Sequence, residues 1–242
     1  IYKPVYELRR IFKQCFEAFS KSSIDENMIP PEKRDDYKKL MNNDIKFQPF
    51  SDCIVIYLSL RDDENKLPLR GVYSVITSAA ITFITCLSRS HFLRGAIDIG
   101  LGIEIDDNEI YGPVLSSTYN LESKIANYSR IIVGDGLQAY LKTFSTDTSE
   151  DIFIKINKSF TDKVMGLLAI DDDGIPFIDY LGDFFKNNLK DYAIWNLIPN
   201  CYNEIVKASD NFKELKDTHK AFRCTLLRNY FEARRSNWDV SF

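Results

Sequence analysis

Two charged residues stand at the mouths of apolar segments and set the chemistry to consider first. Asp52 opens the run Cys53, Ile54, Val55, Ile56, Tyr57; a carboxylate at a strand start accepts turn hydrogen bonds. Arg94 opens the segment RGAIDIG, where a guanidinium either snorkels to solvent or pairs with an acid. Ser116 and Asn120 are four apart, so a helix through them puts both on one face. Other motifs carry less. Asp171, Asp172, Asp173 and Gly174 match part of a calcium loop without its closing Glu, and read as a turn. Gly134, Asp135 and Gly136 are followed by no Gly-Lys-Ser/Thr, so they make no phosphate loop.

Metal chemistry of the Cys/His kind finds no support. The two histidines, His91 and His219, are far apart, and the five cysteines (Cys15, Cys53, Cys86, Cys201, Cys224) include no CxxC pair. The cysteines read as reduced, mostly buried thiols of a cytoplasmic protein. Near the C-terminus, Arg223, Arg228, Arg234 and Arg235 alternate with Phe222, Tyr230, Phe231 and Trp238. At helical spacing these aromatics make a packing face and the arginines a solvated one, a simpler account than a nucleic-acid surface.

The 242 residues suffice for one sizeable core or one domain with an appendage. With 45% apolar and 27% charged residues the composition is that of a folded globule. A net charge of −4 supplies no overall attraction to nucleic acid or anionic lipid. The apolar stretch Val72–Leu87 carries several Ser and Thr and falls short of the ~20 apolar residues of a membrane span.

These residues need elements to hold them. Residues 4 to 20 repeat apolar side chains at three and four and predict a helix, followed by a polar loop over 21 to 44. Residues 47 to 60 predict a strand covered on both faces, and 69 to 88 a mostly apolar helix. A second strand is expected over 93 to 102, a turn at 106 to 108, a helix from 113 to about 127, and a short strand at 131 to 133. Residues 143 to 151 look like a linker. A hairpin follows over 167 to 181, turning at 172 to 174, and 183 to 235 reads as mainly helical. Strands alternating with helices argue for an α/β sheet covered by helices.

The block from 50 to 133 carries a family likeness. FSDCIVIYLSL, the helix at 69 to 88, RGAIDIG, YGPVLSSTYNLESKIA and RIIV follow in an order and spacing that resemble the class III nucleotide cyclase domain. Members of that family have a Gly-Asp strand start, a helix, an Arg-x-Gly-Ile-x-x-Gly strand and Gly-Asp-x-Val-Asn-x-x-x-Arg-Leu-Glu on a helix. Gly112, Leu115, Leu121 and Glu122 fall on the family's Gly, Val, Leu and Glu. FSD in place of Gly-Asp, and YGPxL with YxLE, look more like the bacterial pyrimidine cyclases of the Pycsar anti-phage systems. LLAIDDDGIPFIDYL is similar to the later part of such proteins.

The resemblance implies a ferredoxin-like α/β (α+β) sandwich over 1 to 142, its first strand lying before Ile1, with a hairpin-plus-helix extension over 143 to 242. It implies cyclisation of a nucleoside triphosphate, UTP or CTP, to the 3′,5′-cyclic monophosphate and pyrophosphate, as an anti-phage messenger. It further implies two Mg²⁺ or Mn²⁺ ions, with Asp52 matching one metal-binding aspartate and the other expected before Ile1. Arg94 would meet a phosphate, since guanidinium matches phosphate oxygens bidentately. The family's transition-state Asn and Arg fall at Ser116 and Asn120, neither of which carries positive charge. Class III sites lie at a head-to-tail homodimer interface, so a homodimer is expected, with neither nucleic acid nor membrane as partner. The lost Asn and Arg keep a second possibility open: a catalytically weak cyclase fold serving as a nucleotide-binding or dimer scaffold.

Overall fold

Helix α1, Tyr2–Ser20, follows the spacing expected over 4 to 20: Ile11 and Phe16 are buried, and Arg9, Arg10 and Lys13 are exposed. The computed structural model describes residues 2–20, 45–50, 53–60, 67–106, 109–189 and 193–238. Strands β1, Lys46–Phe50, and β2, Cys53–Tyr57, pair antiparallel with Phe50 opposite Cys53. The single strand expected over 47 to 60 is therefore a hairpin. Its apolar run is not covered on both faces: Cys53 is exposed and Ile54 to Tyr57 are half-buried. A two-stranded ribbon leaves both edges open, which an apolar run alone does not reveal.

Helix α2 spans Pro68–Leu87. It is the one described helix long and apolar enough to cross a membrane, and 83% of its apolar window is buried within the protein. Strand β3 is Gly95–Ile97, shorter than the expected 93 to 102; β4, Ile103–Asp106, and β5, Glu109–Tyr111, form a separate hairpin. Helix α3, Pro113–Asn120, continues into a π turn, Leu121–Ile125, closed by the Ala126 amide donating to the Leu121 carbonyl at 3.0 Å. Strand β6 is Ile131–Val133, as expected.

Helix α4, Asp135–Ser145, takes in the first three residues of the linker expected over 143 to 151, and α5, Ile152–Gly166, begins directly after it. Strands β7, Leu168–Ile170, and β8, Pro176–Ile178, form the expected hairpin, with Gly174 at φ +79° in its turn. The positive φ suits glycine, which has no Cβ to clash there. Helices α6, Asp183–Leu189, α7, Ile198–Glu214, and α8, Thr218–Ala233, complete the helical C-terminal part.

Two compact units divide the chain. The first takes Ile1–Ala79, Leu101–Gly112 and Ala139–Met165. Within it Phe16 meets Phe47 edge-on at 5.4 Å and Tyr73 packs on Phe160 at 5.8 Å. Lys46 and Tyr57 of the first hairpin reach Glu104 of the second, at 2.8 and 3.0 Å.

The second unit takes Ala80–Gly100, Pro113–Gln138 and Gly166–Phe242. Its four-stranded sheet runs β3-β6-β8-β7, with β3 and β6 parallel and the other pairs antiparallel. Ile131, Ile132, Val133, Phe177 and Ile178 are buried along it. The 168–178 hairpin thus supplies half of the sheet that β3 and β6 begin. The fold class is mixed α and β, with small sheets and predominant helix.

Candidate functional site

Arg94 lies directly before β3 and is not isolated. Its Nη2 stands 3.0 Å from Glu122 Oε1, and its Nη1 donates to the Ala126 carbonyl at 3.5 Å. Of the roles open to Arg94, the ion pair is the one this geometry displays. Glu122 sits in the π turn that follows α3, so the pair ties the end of that helix to the start of the strand. Ser116 and Asn120 are both exposed on α3, and Tyr119 beside them is 65% exposed. Helical spacing alone brings Ser116 and Asn120 to one face.

Asp52 lies outside the described residues. Among the described residues no three His, Cys, Asp or Glu side chains gather as a metal site.

Asp98, in the middle of RGAIDIG, ends β3 early. Its Oδ1 accepts from the Ile99 amide at 2.9 Å and from the Leu137 amide at 3.0 Å, capping the first turn of α4. A negative group there also complements the helix dipole. This contact accounts for Gly134 and Gly136: a Cβ on Gly134 would meet the Asp98 carboxylate, and one on Gly136 the Ile99 carbonyl. Gly136→Ala should therefore destabilise the protein by about 1–3 kcal/mol, an overpacking cost. A urea midpoint equal to that of the unaltered protein would show that the strand end gives way freely.

The run Asp171 to Gly174 is a hairpin turn held by an arginine that sequence reading did not single out. The Arg130 side chain is 1% exposed and pairs with Asp171 and Asp173. Its Nη1 donates to Asp173 Oδ1 at 3.0 Å and its Nη2 to Asp173 Oδ2 at 2.5 Å, while Nη2 also reaches the Ile125 carbonyl at 3.1 Å. Tyr128 Oη donates to Asp171 Oδ2 at 2.6 Å. Hydrogen bonds from Arg130 hold the Asp173 carboxyl below its ordinary range. Burial, then the bond to Asp171, pushes the Tyr128 phenol far above its usual value. The same place in two parallel strands, R-G-A-I and R-I-I-V, was the available signal for Arg130.

The C-terminal aromatics are a packing face. Tyr230, Phe231 and Trp238 are buried, while Phe222 is exposed. Tyr230 Oη donates to Asp179 Oδ1 at 2.8 Å, Arg234 Nη2 lies 2.9 Å from Asp179 Oδ2, and Arg228 Nε lies 2.7 Å from Glu232 Oε1. These two arginines face acids of the same chain, as in a structural role. Cys86, Cys201 and Cys224 are buried, Cys15 is half-buried and Cys53 exposed. Burial pushes the Cys201 and Cys224 thiols up, which suppresses the reactive thiolate.

Compared with known proteins, the chain matches no family model, no curated protein and no solved structure.

Proposed function

We propose that this chain is a nucleotide cyclase of the class III type, acting on a pyrimidine nucleoside triphosphate. The observation that carries the reading is the ordered block from FSD to RIIV and the elements that bear it. Asp52 falls in sequence between paired strands β1 and β2, Arg94 directly precedes β3, and Ser116 and Asn120 share the exposed face of α3. In this reading Asp52 and an acidic partner beyond the described residues hold two Mg²⁺ or Mn²⁺ ions. Such ions activate a hydroxyl and neutralise phosphate charge. Ser116 and Asn120 then offer a hydroxyl and an amide, as neutral hydrogen-bond donors, to the transferring phosphate. The site is composed across a head-to-tail homodimer, as in the family resembled.

A second reading has specific support. Arg94 stands in an ion pair with Glu122 and neither Ser116 nor Asn120 is charged, so the positions that fall on the family's phosphate-facing residues offer no unengaged cation. On that reading the chain is a nucleotide-binding dimer scaffold of the same fold.

Incubation of the protein with each of the four ribonucleoside triphosphates and Mn²⁺, with products resolved by mass, separates the two. The cyclase reading expects cyclic UMP or cyclic CMP to form from its own triphosphate and little product from ATP or GTP. Binding without turnover of any triphosphate supports the scaffold.

A further inference from the structure

We propose that Arg94 and Arg130 together clamp the C-terminal end of the helical segment 113–125, and that Arg94 is thereby a positioning residue for the Ser116/Asn120 face rather than a phosphate ligand. The activity arm of this inference rests on the cyclase reading; the structural arm does not. The two arginines occupy equivalent places. Gly95 pairs with Ile131 in the parallel β3–β6 ladder, and the Gly95 amide donates to the Arg130 carbonyl at 3.1 Å. Both side chains therefore leave the same end of the sheet, and both reach the same helix end.

Arg94 Nη2 takes Glu122 at 3.0 Å, Arg94 Nη1 the Ala126 carbonyl at 3.5 Å, and Arg130 Nη2 the Ile125 carbonyl at 3.1 Å. The last carbonyls of a helix carry partial negative charge, so cations there are favourable; the Ile125 carbonyl also accepts from the Asn127 amide at 2.7 Å, so Arg130 shares it. Apolar burial fixes this helix only in part: Val114, Leu115, Leu121 and Ile125 are half-buried, and no residue of Pro113–Asn120 or Leu121–Ile125 is fully buried. Rotation about the helix axis then depends also on what holds its end. A slip of one residue turns an α-helix by about 100°, enough to carry Ser116 and Asn120 onto another face.

Arg130 is anchored on its other side by Asp171 and Asp173, so it is the fixed jaw. Arg94 and Glu122, with side chains 31% and 28% exposed, are the adjustable one.

The test uses Arg94→Gln, Glu122→Gln, Arg94→Lys and the swap Arg94→Glu/Glu122→Arg in the full chain, read by hydrogen exchange and by steady-state kinetics. Exchange should quicken over 113–126 in both Gln variants, stay slow over 131–133, and slow again over 113–126 in the swap. In turnover, each Gln variant should lose about tenfold in kcat with KM unchanged, the signature of misplaced groups rather than lost binding. Arg94→Lys keeps the charge without the fork and should fall between. The clamp is overturned if Glu122→Gln leaves both exchange and kcat unchanged, or if Arg94→Gln raises KM alone and the swap fails to rescue. If the unaltered protein turns over no triphosphate, the cyclase reading fails, and the exchange pattern alone decides the clamp.

Discussion

Replacing Asp52 by Asn should abolish cyclisation and leave the protein folded. The substitution keeps the shape of the side chain and removes its charge, so one anionic oxygen ligand is lost with almost no change in volume. A metal ion poised on a reacting phosphate is worth several kcal/mol of transition-state stabilisation. Loss of roughly 4 kcal/mol lowers the rate by about three orders of magnitude. Initial rates measured at saturating Mn²⁺ check this, with circular dichroism and a urea midpoint as controls for folding. A charge role also predicts that Asp52→Glu retains more activity than Asp52→Asn. Turnover by Asp52→Asn at an undiminished rate would remove Asp52 from the site.

The second large effect is structural. Arg130→Met should lower the unfolding free energy by about 1–3 kcal/mol, because removing the buried guanidinium leaves the partly buried Asp171 carboxylate without its charged partner. Asp171 is the sharper loser, with a side chain 18% exposed against 43% for Asp173. Adding Asp171→Asn and Asp173→Asn to Arg130→Met should recover much of the loss, since no charge then remains unpaired. Acid titration gives an independent readout. The Asp173 carboxyl is depressed by its hydrogen bonds to Arg130. Its contribution is therefore present above the unfolded-state aspartate pKa of about 3.9 and is lost as pH falls through the depressed folded value. Urea unfolding between pH 6 and pH 3 should show stability declining at the acid end in the unaltered protein, and that decline flattened in Arg130→Met. A variant as stable as the unaltered protein would mean that water replaces the arginine without cost.

What could be read from sequence divides along physical lines. Elements with a clean period were legible: α1 from Leu8, Ile11, Phe12, Cys15 and Phe16, and the β7–β8 hairpin from Asp172, Asp173 and Gly174 between apolar runs. Helix α5 was not, although Asn157, Phe160, Thr161 and Val164 are buried at steps of three, one and three. Two of those four are polar, so hydropathy hid the stripe; Thr161 answers its polarity locally by donating to the Asn157 carbonyl at 3.0 Å. The reversal between β1 and β2 was masked by the apolar run that follows it. At the candidate site, the sequence displayed Arg94, Glu122, Asp171 and Asp173 as separate charges. Which cation meets which anion depends on the strand order β3-β6-β8-β7 and on how the 113–125 helix returns to it, and no local pattern encodes that.

The early end of β3 has the same origin. Asp98 breaks the strand because its carboxylate is drawn to the first turn of α4, thirty-odd residues later in the chain. Gly134 and Gly136 looked like a failed phosphate loop and are instead the space that this carboxylate and the Ile99 carbonyl require.

The most direct trial of the central claim is to identify the bonds made and broken in the triphosphate. Phosphorus NMR of the reaction with UTP or CTP and Mg²⁺ should show pyrophosphate and the 3′,5′-cyclic monophosphate rising in equal amounts. Release of inorganic phosphate with a nucleoside diphosphate, or of pyrophosphate with the open monophosphate, would contradict it.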